Sequence, residues 1–136
     1  VVARGDLKES ELRIIHNKMD TLLGKQGAYI DKLYYCPHHT DSGFENEVVE
    51  LKFDCDCRKP KTGMFEQAKE DLNIVLERSW MVGDSYRDIF AAQRVGMKSV
   101  LVQTGYAGKD SYKNVNPDFV VQDLRAAVGV ILKESE

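Results

Sequence analysis

Residues 79–102 read SWMVGDSYRDIFAAQRVGMKSVLV, and the order of residue types in this stretch decides the fold. Ser79–Val82 is a short apolar run that stops at Gly83-Asp84, as a buried strand does. Arg87–Val95 is predicted as a helix that Gly96 ends. Lys98–Val102 is again apolar and rich in β-branched types, a second strand. A strand, a helix and a strand in this order make the βαβ unit of a parallel sheet. Downstream, residues 103–117 read as loop, Phe119–Val121 as a last short strand and Leu124–Leu132 as a last helix. Upstream, Pro60 and Gly63 punctuate the entry to a helix over Met64–Leu72. Earlier still, Tyr29–Tyr35 is rich in aromatic and β-branched residues and is predicted as a strand. Asp6, with Glu9 three residues on, gives a helix-start signal. Leu12, Ile15, Met19 and Leu22 then recur at helical spacing up to Gly24. Strands alternating with helices predict an α/β fold: a mainly parallel sheet with helices on both faces, in one domain. Ligands of such sheets sit beyond the carboxyl ends of the strands, where Asp84 stands.

Size and charge narrow the classes. The 136 residues are 43% hydrophobic and 30% charged, with 19 basic and 22 acidic side chains for a net charge of −3. That balance suits a soluble globular domain with a core of its own. It lacks the basic footprint of a nucleic-acid binder, and no apolar run approaches a membrane span. Three cysteines, all in one stretch, do not make a disulfide framework; thiolates held by metal in a reducing cytoplasm fit better.

The cysteine stretch is the second signal. Cys36-x-His38, sixteen residues, then Cys55-x-Cys57 sets out four soft ligands in two close pairs. Thiolate and imidazole in a set of four suit tetrahedral zinc, and a filled set leaves no open position, so this zinc is expected to be structural. It would pin the loop 36–57, which has no core of its own. His39 could replace His38 as the imidazole. Asp54 and Asp56 form an Asp-x-Asp pair inside the ligand set and read as solvated loop carboxylates. Arg58 and Lys59 follow the last ligand directly. A guanidinium fork and an ammonium held together suit a phosphate, although two surface cations would look the same in sequence.

Asp84 and Asp88 are four residues apart and share a face if the helix starts early. Carboxylates at this place suit Mg²⁺, which prefers oxygen ligands and bridges to phosphate. The alternative for Asp84 is a helix cap.

Taken together, the stretches YYCPHH, CDCRKPKTGM, WMVGDSYRDI and LVQTGYAG make the chain resemble the haloacid dehalogenase superfamily of phosphatases. Within that superfamily it is most similar to the capless heptose bisphosphate phosphatases and their relatives, the histidinol-phosphate phosphatases. The resemblance spans nearly the whole chain. It implies a Rossmann-like α/β/α sandwich without a large cap, with zinc on Cys36, His38, Cys55 and Cys57. It makes Lys59 the cation that steadies the nucleophile and the phosphoryl group, and Arg58 a substrate-binding residue. Arg4, in the opening segment, joins the substrate-binding set. Asp84 is implied as a catalytic Mg²⁺ ligand supported by Asp88. The implied substrate is a sugar phosphate, a heptose 1,7-bisphosphate first and histidinol phosphate as the rival.

One part of the family pattern is not in this sequence. These phosphatases carry an Asp-x-Asp-Gly-Thr type nucleophile motif after their first strand, near the N-terminus, and a Thr/Ser-Asn motif after the next. Val1–Gly5 resembles the segment that follows the second motif. The expectation is therefore an N-terminally incomplete phosphatase domain, its first strand and nucleophile lying upstream in a longer polypeptide, fused or otherwise. A zinc-binding interaction module without catalysis is the competing class. Lys59 and Asp84 argue against it, since such a module needs neither.

Overall fold

The computed structural model describes residues 1–110, 112 and 115–135. The chain forms two compact units, Val1–Arg58 and Lys59–Glu136.

The second unit holds the sheet. Three strands, β1 (Trp80–Gly83), β2 (Lys98–Val102) and β3 (Phe119–Val121), pair in parallel in the order β1-β2-β3. Val82 lies opposite Val100, and Val100 opposite Phe119. The described residues also form four α-helices, α1 (Glu9–Gly24), α2 (Gly63–Leu72), α3 (Tyr86–Gln93) and α4 (Leu124–Glu134), and two short 3-10 turns at Val49–Leu51 and Leu76–Arg78. Residues alternate across a strand, and the sheet uses both faces. Trp80, Val82, Val100 and Val102 pack with Ala127 and Ile131 of α4. On the other face Met81 packs with Ala92 of α3 and Phe65 of α2, and Leu101 with Ile89 of α3. The three layers of the expected sandwich are thus present. Burial on both faces explains why Ser99–Val102 reads as an almost unbroken apolar run. Polar Ser99 in that run is fully buried, and its hydroxyl and amide both donate to Asp118 at 2.7 Å, at the entry to β3.

The sequence placed β2 and β3 at their observed residues and the helices α2, α3 and α4 to within two residues. Asn73, in the left-handed conformation, ends α2, and the Asp123 carboxylate accepts from Ala126 N–H to open α4.

The first unit departs from expectation in two places. Residues 29–35 form no strand. Tyr29 is 81% exposed and the segment has no ladder partner; its β-formers find no face to bury, and propensity without a partner does not make a strand. Tyr35 instead contacts α1, ring to ring with His16 at 5.7 Å and by a hydrogen bond to Glu9. The helix-start signal at Asp6 is also displaced. α1 opens at Glu9 with Lys8 before it, and Glu11 accepts from Lys8 N–H at 2.8 Å. Asp6 is taken by an ion pair with Arg4 at 2.9 Å.

The cysteine loop is tied to the N-terminal turn by main-chain bonds. Ala3 N–H donates to Pro37 and Val48 N–H to Ala3, and within the loop His39 N–H donates to Leu51. The Glu47 carboxylate gathers Gly43 N–H, Phe44 N–H and the Lys52 ammonium.

Candidate functional site

In the first unit, Cys36, His38, Cys55 and Cys57 bring one ligand atom each to within 4.8 Å of one another. Cys57 Sγ lies 3.2 Å from both Cys36 Sγ and Cys55 Sγ, Cys36 Sγ 3.5 Å from Cys55 Sγ, and His38 Nδ1 3.3 Å from Cys57 Sγ. A tetrahedron of bonds of about 2.3 Å has edges somewhat under 4 Å, so the set is collapsed only slightly from a zinc cage. The imidazole in it is His38. His39 lies outside, its Nδ1 accepting from Asp41 N–H at 3.1 Å.

The donor chemistry fits a dication. Burial, and then hydrogen bonds with Cys36 and Cys55, push the Cys57 thiol up to about 12. Burial raises Cys36 as well. Burial works the same way on Cys55, but hydrogen bonds from Cys57 and Cys36 outweigh it and leave that thiol lowered. Three thiols packed this closely cannot all ionise unaided; a zinc ion would ionise them and fill the four positions. The cluster can therefore hold one Zn²⁺ with no site left for substrate. Arg58, the last residue of this unit, donates through Nη1 to the His38 carbonyl at 3.1 Å. Arg4 lies over the Phe44 ring at 5.5 Å, and its buried Nε has no hydrogen-bond partner among the described residues.

In the second unit, Lys59 Nζ lies 2.6 Å from Asp88 Oδ1. Asp88 is 7% exposed, so this is a charge pair with one partner buried. Asp88 is set by Gly83: a Cβ on that glycine would stand 2.5 Å from Asp88 Cβ. Only a glycine at the end of β1 lets α3 begin so close to the strand. Asp84 follows Gly83 at the carboxyl end of β1. It does not cap α3; that role falls to Ser85, whose hydroxyl accepts from Arg87 N–H at 3.2 Å. The Asp84 carboxylate accepts from Tyr106 N–H at 2.9 Å, and its main-chain oxygen accepts from Gly108 N–H at 2.9 Å. Gly105 makes that approach feasible: it has φ +64°, and a Cβ there would meet Asp84 Oδ2 at 2.2 Å. Lys59, Asp84 and Asp88 thus stand at the carboxyl end of a parallel strand, an arrangement suited to Mg²⁺ and a phosphoryl group.

Sequence reasoning missed Asp110. Its carboxylate accepts from Ser85 Oγ at 2.6 Å, Tyr86 N–H at 2.8 Å and Arg87 N–H at 3.0 Å. The only advance signal was a loop with glycines entering from the end of β2; nothing local tied Asp110 to a helix start 25 residues before it.

Comparison with known proteins places the chain in a family. The HAD-hydrolase-like family model matches residues 56–127, which include Lys59, Asp84 and Asp88. This chain belongs to the HAD-like hydrolase family. Among curated relatives, the HAD-like D-glycero-beta-D-manno-heptose-1,7-bisphosphate 7-phosphatase of Haemophilus ducreyi is 44% identical over 108 residues, 78% of this chain and 57% of the relative. The protein of that name from Escherichia coli is 36% identical over 137 residues, 99% of this chain and 69% of the relative. The crystal structure of the D,D-heptose 1,7-bisphosphate phosphatase from B. bronchiseptica, complexed with magnesium and phosphate, superposes with a TM-score of 0.80 at 34% identity. That match covers 98% of this HAD-like chain and 69% of the other. The chain spans a little over half the length of the first curated relatives it matches.

Proposed function

We propose that this chain carries the lysine, magnesium-ligand and zinc-loop parts of a phosphatase domain that acts on a sugar phosphate, D-glycero-D-manno-heptose 1,7-bisphosphate. The observation that carries the proposal is the Lys59–Asp88 pair beside Asp84 at the carboxyl end of β1. A zinc-binding interaction module has no use for a buried carboxylate that holds an ammonium next to a second carboxylate. The substrate is taken from the relatives, whose names specify the 7-phosphate.

Asp84 would hold Mg²⁺, with Asp88 in support; when bound, the ion offsets charge on the phosphoryl oxygens and helps to orient them. Asp88 holds the Lys59 ammonium in place, so that it can face a phosphoryl group as negative charge spreads over its oxygens. Arg58 and Arg4 are the cations proposed, by family resemblance, to meet phosphate on the substrate. Zinc on Cys36, His38, Cys55 and Cys57 would fix the loop and leave the bond-breaking step to others. By family resemblance the nucleophile would be an aspartate that is not among the residues described above. Its carboxylate attacks phosphorus, the P–O bond to the sugar breaks, and the sugar oxygen takes a proton from a second carboxyl group. Water then hydrolyses the aspartyl phosphate.

The test is phosphate release by the full polypeptide from heptose 1,7-bisphosphate and from histidinol phosphate, with Mg²⁺ or EDTA. Mg²⁺-dependent release from the bisphosphate is expected. Asp84→Asn should lower kcat by at least about a hundredfold, the scale for losing a charge-stabilising group. Turnover that survives EDTA, or an Asp84→Asn variant as active as the parent, would overturn the proposal.

A further inference from the structure

The loop after β2 closes on Asp84. After β2 the chain turns back at Thr104–Gly108, with φ of +64° at Gly105, +52° at Ala107 and +69° at Gly108. Ala107 N–H donates to Thr104 and Lys109 N–H to Tyr106, which closes the turn on itself. Two amides of this turn face Asp84: Tyr106 N–H the carboxylate and Gly108 N–H the main-chain oxygen. Left-handed backbone at a residue with a Cβ, as at Ala107, is held only where its surroundings fix it. The fixing group is at the far end of the turn. Asp110 puts Oδ1 on Tyr86 N–H and Oδ2 on both Ser85 Oγ and Arg87 N–H. Ser85, the neighbour of Asp84, is 1% exposed, so the anchor is made against a buried group. Burial opposes ionisation of Asp110, but Ser85 and the two amides outweigh it and hold the carboxyl below its ordinary value.

We propose that Asp110 is a positioning residue for Asp84: by clamping the 104–110 turn onto the first turn of α3, it holds the Tyr106 amide on the Asp84 carboxylate and so fixes that carboxylate for Mg²⁺. The proposal deepens the phosphatase assignment and rests on it for the identity of the metal. Three donors converge on the two oxygens of Asp110. An asparagine has one acceptor oxygen, so at least one of Tyr86 N–H and Arg87 N–H must face an NH₂ group. Groups that orient a metal ligand contribute about ten- to a hundredfold to metal affinity.

The experiment compares Asp110→Asn with Asp123→Ala, which removes the cap of α4 at a distance from Asp84 in sequence and in helix. In the full chain, amide hydrogen exchange at Tyr106 and Gly108 is followed by NMR, and the Tyr106 amide resonance is titrated with MgCl₂. In Asp110→Asn the two amides should exchange faster and the Mg²⁺ dissociation constant rise about tenfold, while Asp123→Ala changes neither. Unchanged exchange in Asp110→Asn overturns the clamp. Faster exchange with an unchanged Mg²⁺ constant overturns the positioning role and leaves an ordinary helix cap. Equal effects from both variants overturn it as well, by showing a global loss of stability. If the parent chain shows no Mg²⁺-dependent shift at all, the metal assignment of Asp84 fails, and the exchange measurement alone decides whether the clamp stands.

Discussion

At the scale of single residues, Lys59 and Gly105 are the most exposed to test. Lys59→Met leaves the buried Asp88 carboxylate without its ammonium at 2.6 Å. A buried acceptor left unpaired costs about 1–3 kcal/mol, more when it is charged, and the loss should be readable in a urea melt. Turnover by the full polypeptide should drop by at least about a hundredfold, since the same ammonium is the one proposed to meet the phosphoryl group. Gly105→Ala combines left-handed backbone with a Cβ placed 2.2 Å from Asp84 Oδ2. A strained position of this kind costs about 1–3 kcal/mol. Because the clash is with Asp84 itself, the Mg²⁺ requirement should rise along with the loss of stability. A Gly105→Ala protein with parental melting and parental Mg²⁺ dependence would show that the close approach is not needed.

At the scale of elements, α3 is set from both ends of its packing. Its inner side is Ile89, Ala91 and Ala92, all fully buried. Ile89→Ala opens a hole against Leu101 of β2 and Val115. It should cost about 2–5 kcal/mol by denaturant melt, the range for large-to-small changes in a core. The N-terminus of α3 depends on a group from outside the helix. Asp110 has a folded-state value below the ordinary 3.8. A lowered carboxyl contributes stability that is present above its unfolded value and is lost as pH falls through the folded one. The stability gap between parent and Asp110→Asn should therefore be full at neutral pH and shrink below about pH 4. A gap that stays constant down to pH 2.5 would mean that Asp110 is not acting through its charge. The same element shows what local sequence reading misses: the cap offered at Asp84 is made by Ser85, and a carboxylate entering from the loop after β2 has no local signal.

At the scale of the whole molecule, two compact units are held in different ways. The unit Lys59–Glu136 has a sheet covered on both faces. The unit Val1–Arg58 has a helix with no buried residue and, at Cys36, His38, Cys55 and Cys57, a cage for one ion. One zinc per chain is expected by elemental analysis. Stripping it with a chelator, or making Cys57→Ser, should raise amide exchange across residues 36–57 while leaving β1, β2 and β3 protected. Such a split would follow from the physics: metal-binding free energy is folding free energy only for the part that the ligands tie together. Uniform loss of protection in both units, or none in either, would refute it.

The sequence by itself determined the βαβ order, the places of β2, β3, α2 and α4, and the three cysteine ligands with a histidine beside them. Each of these is written in local spacing: apolar runs buried on two faces, helix stops, and cysteines paired at one residue's remove. It also placed Asp84 at the end of β1, because a glycine-aspartate step after an apolar run marks a strand exit. Tertiary structure alone decided that residues 29–35 make no strand, since a strand exists only with a partner that sequence cannot supply. It likewise decided between His38 and His39, paired Lys59 with Asp88, and brought Asp110 to the start of α3. Those outcomes depend on which groups remote parts of the chain bring within about 3 Å of each other, the reach of a hydrogen bond.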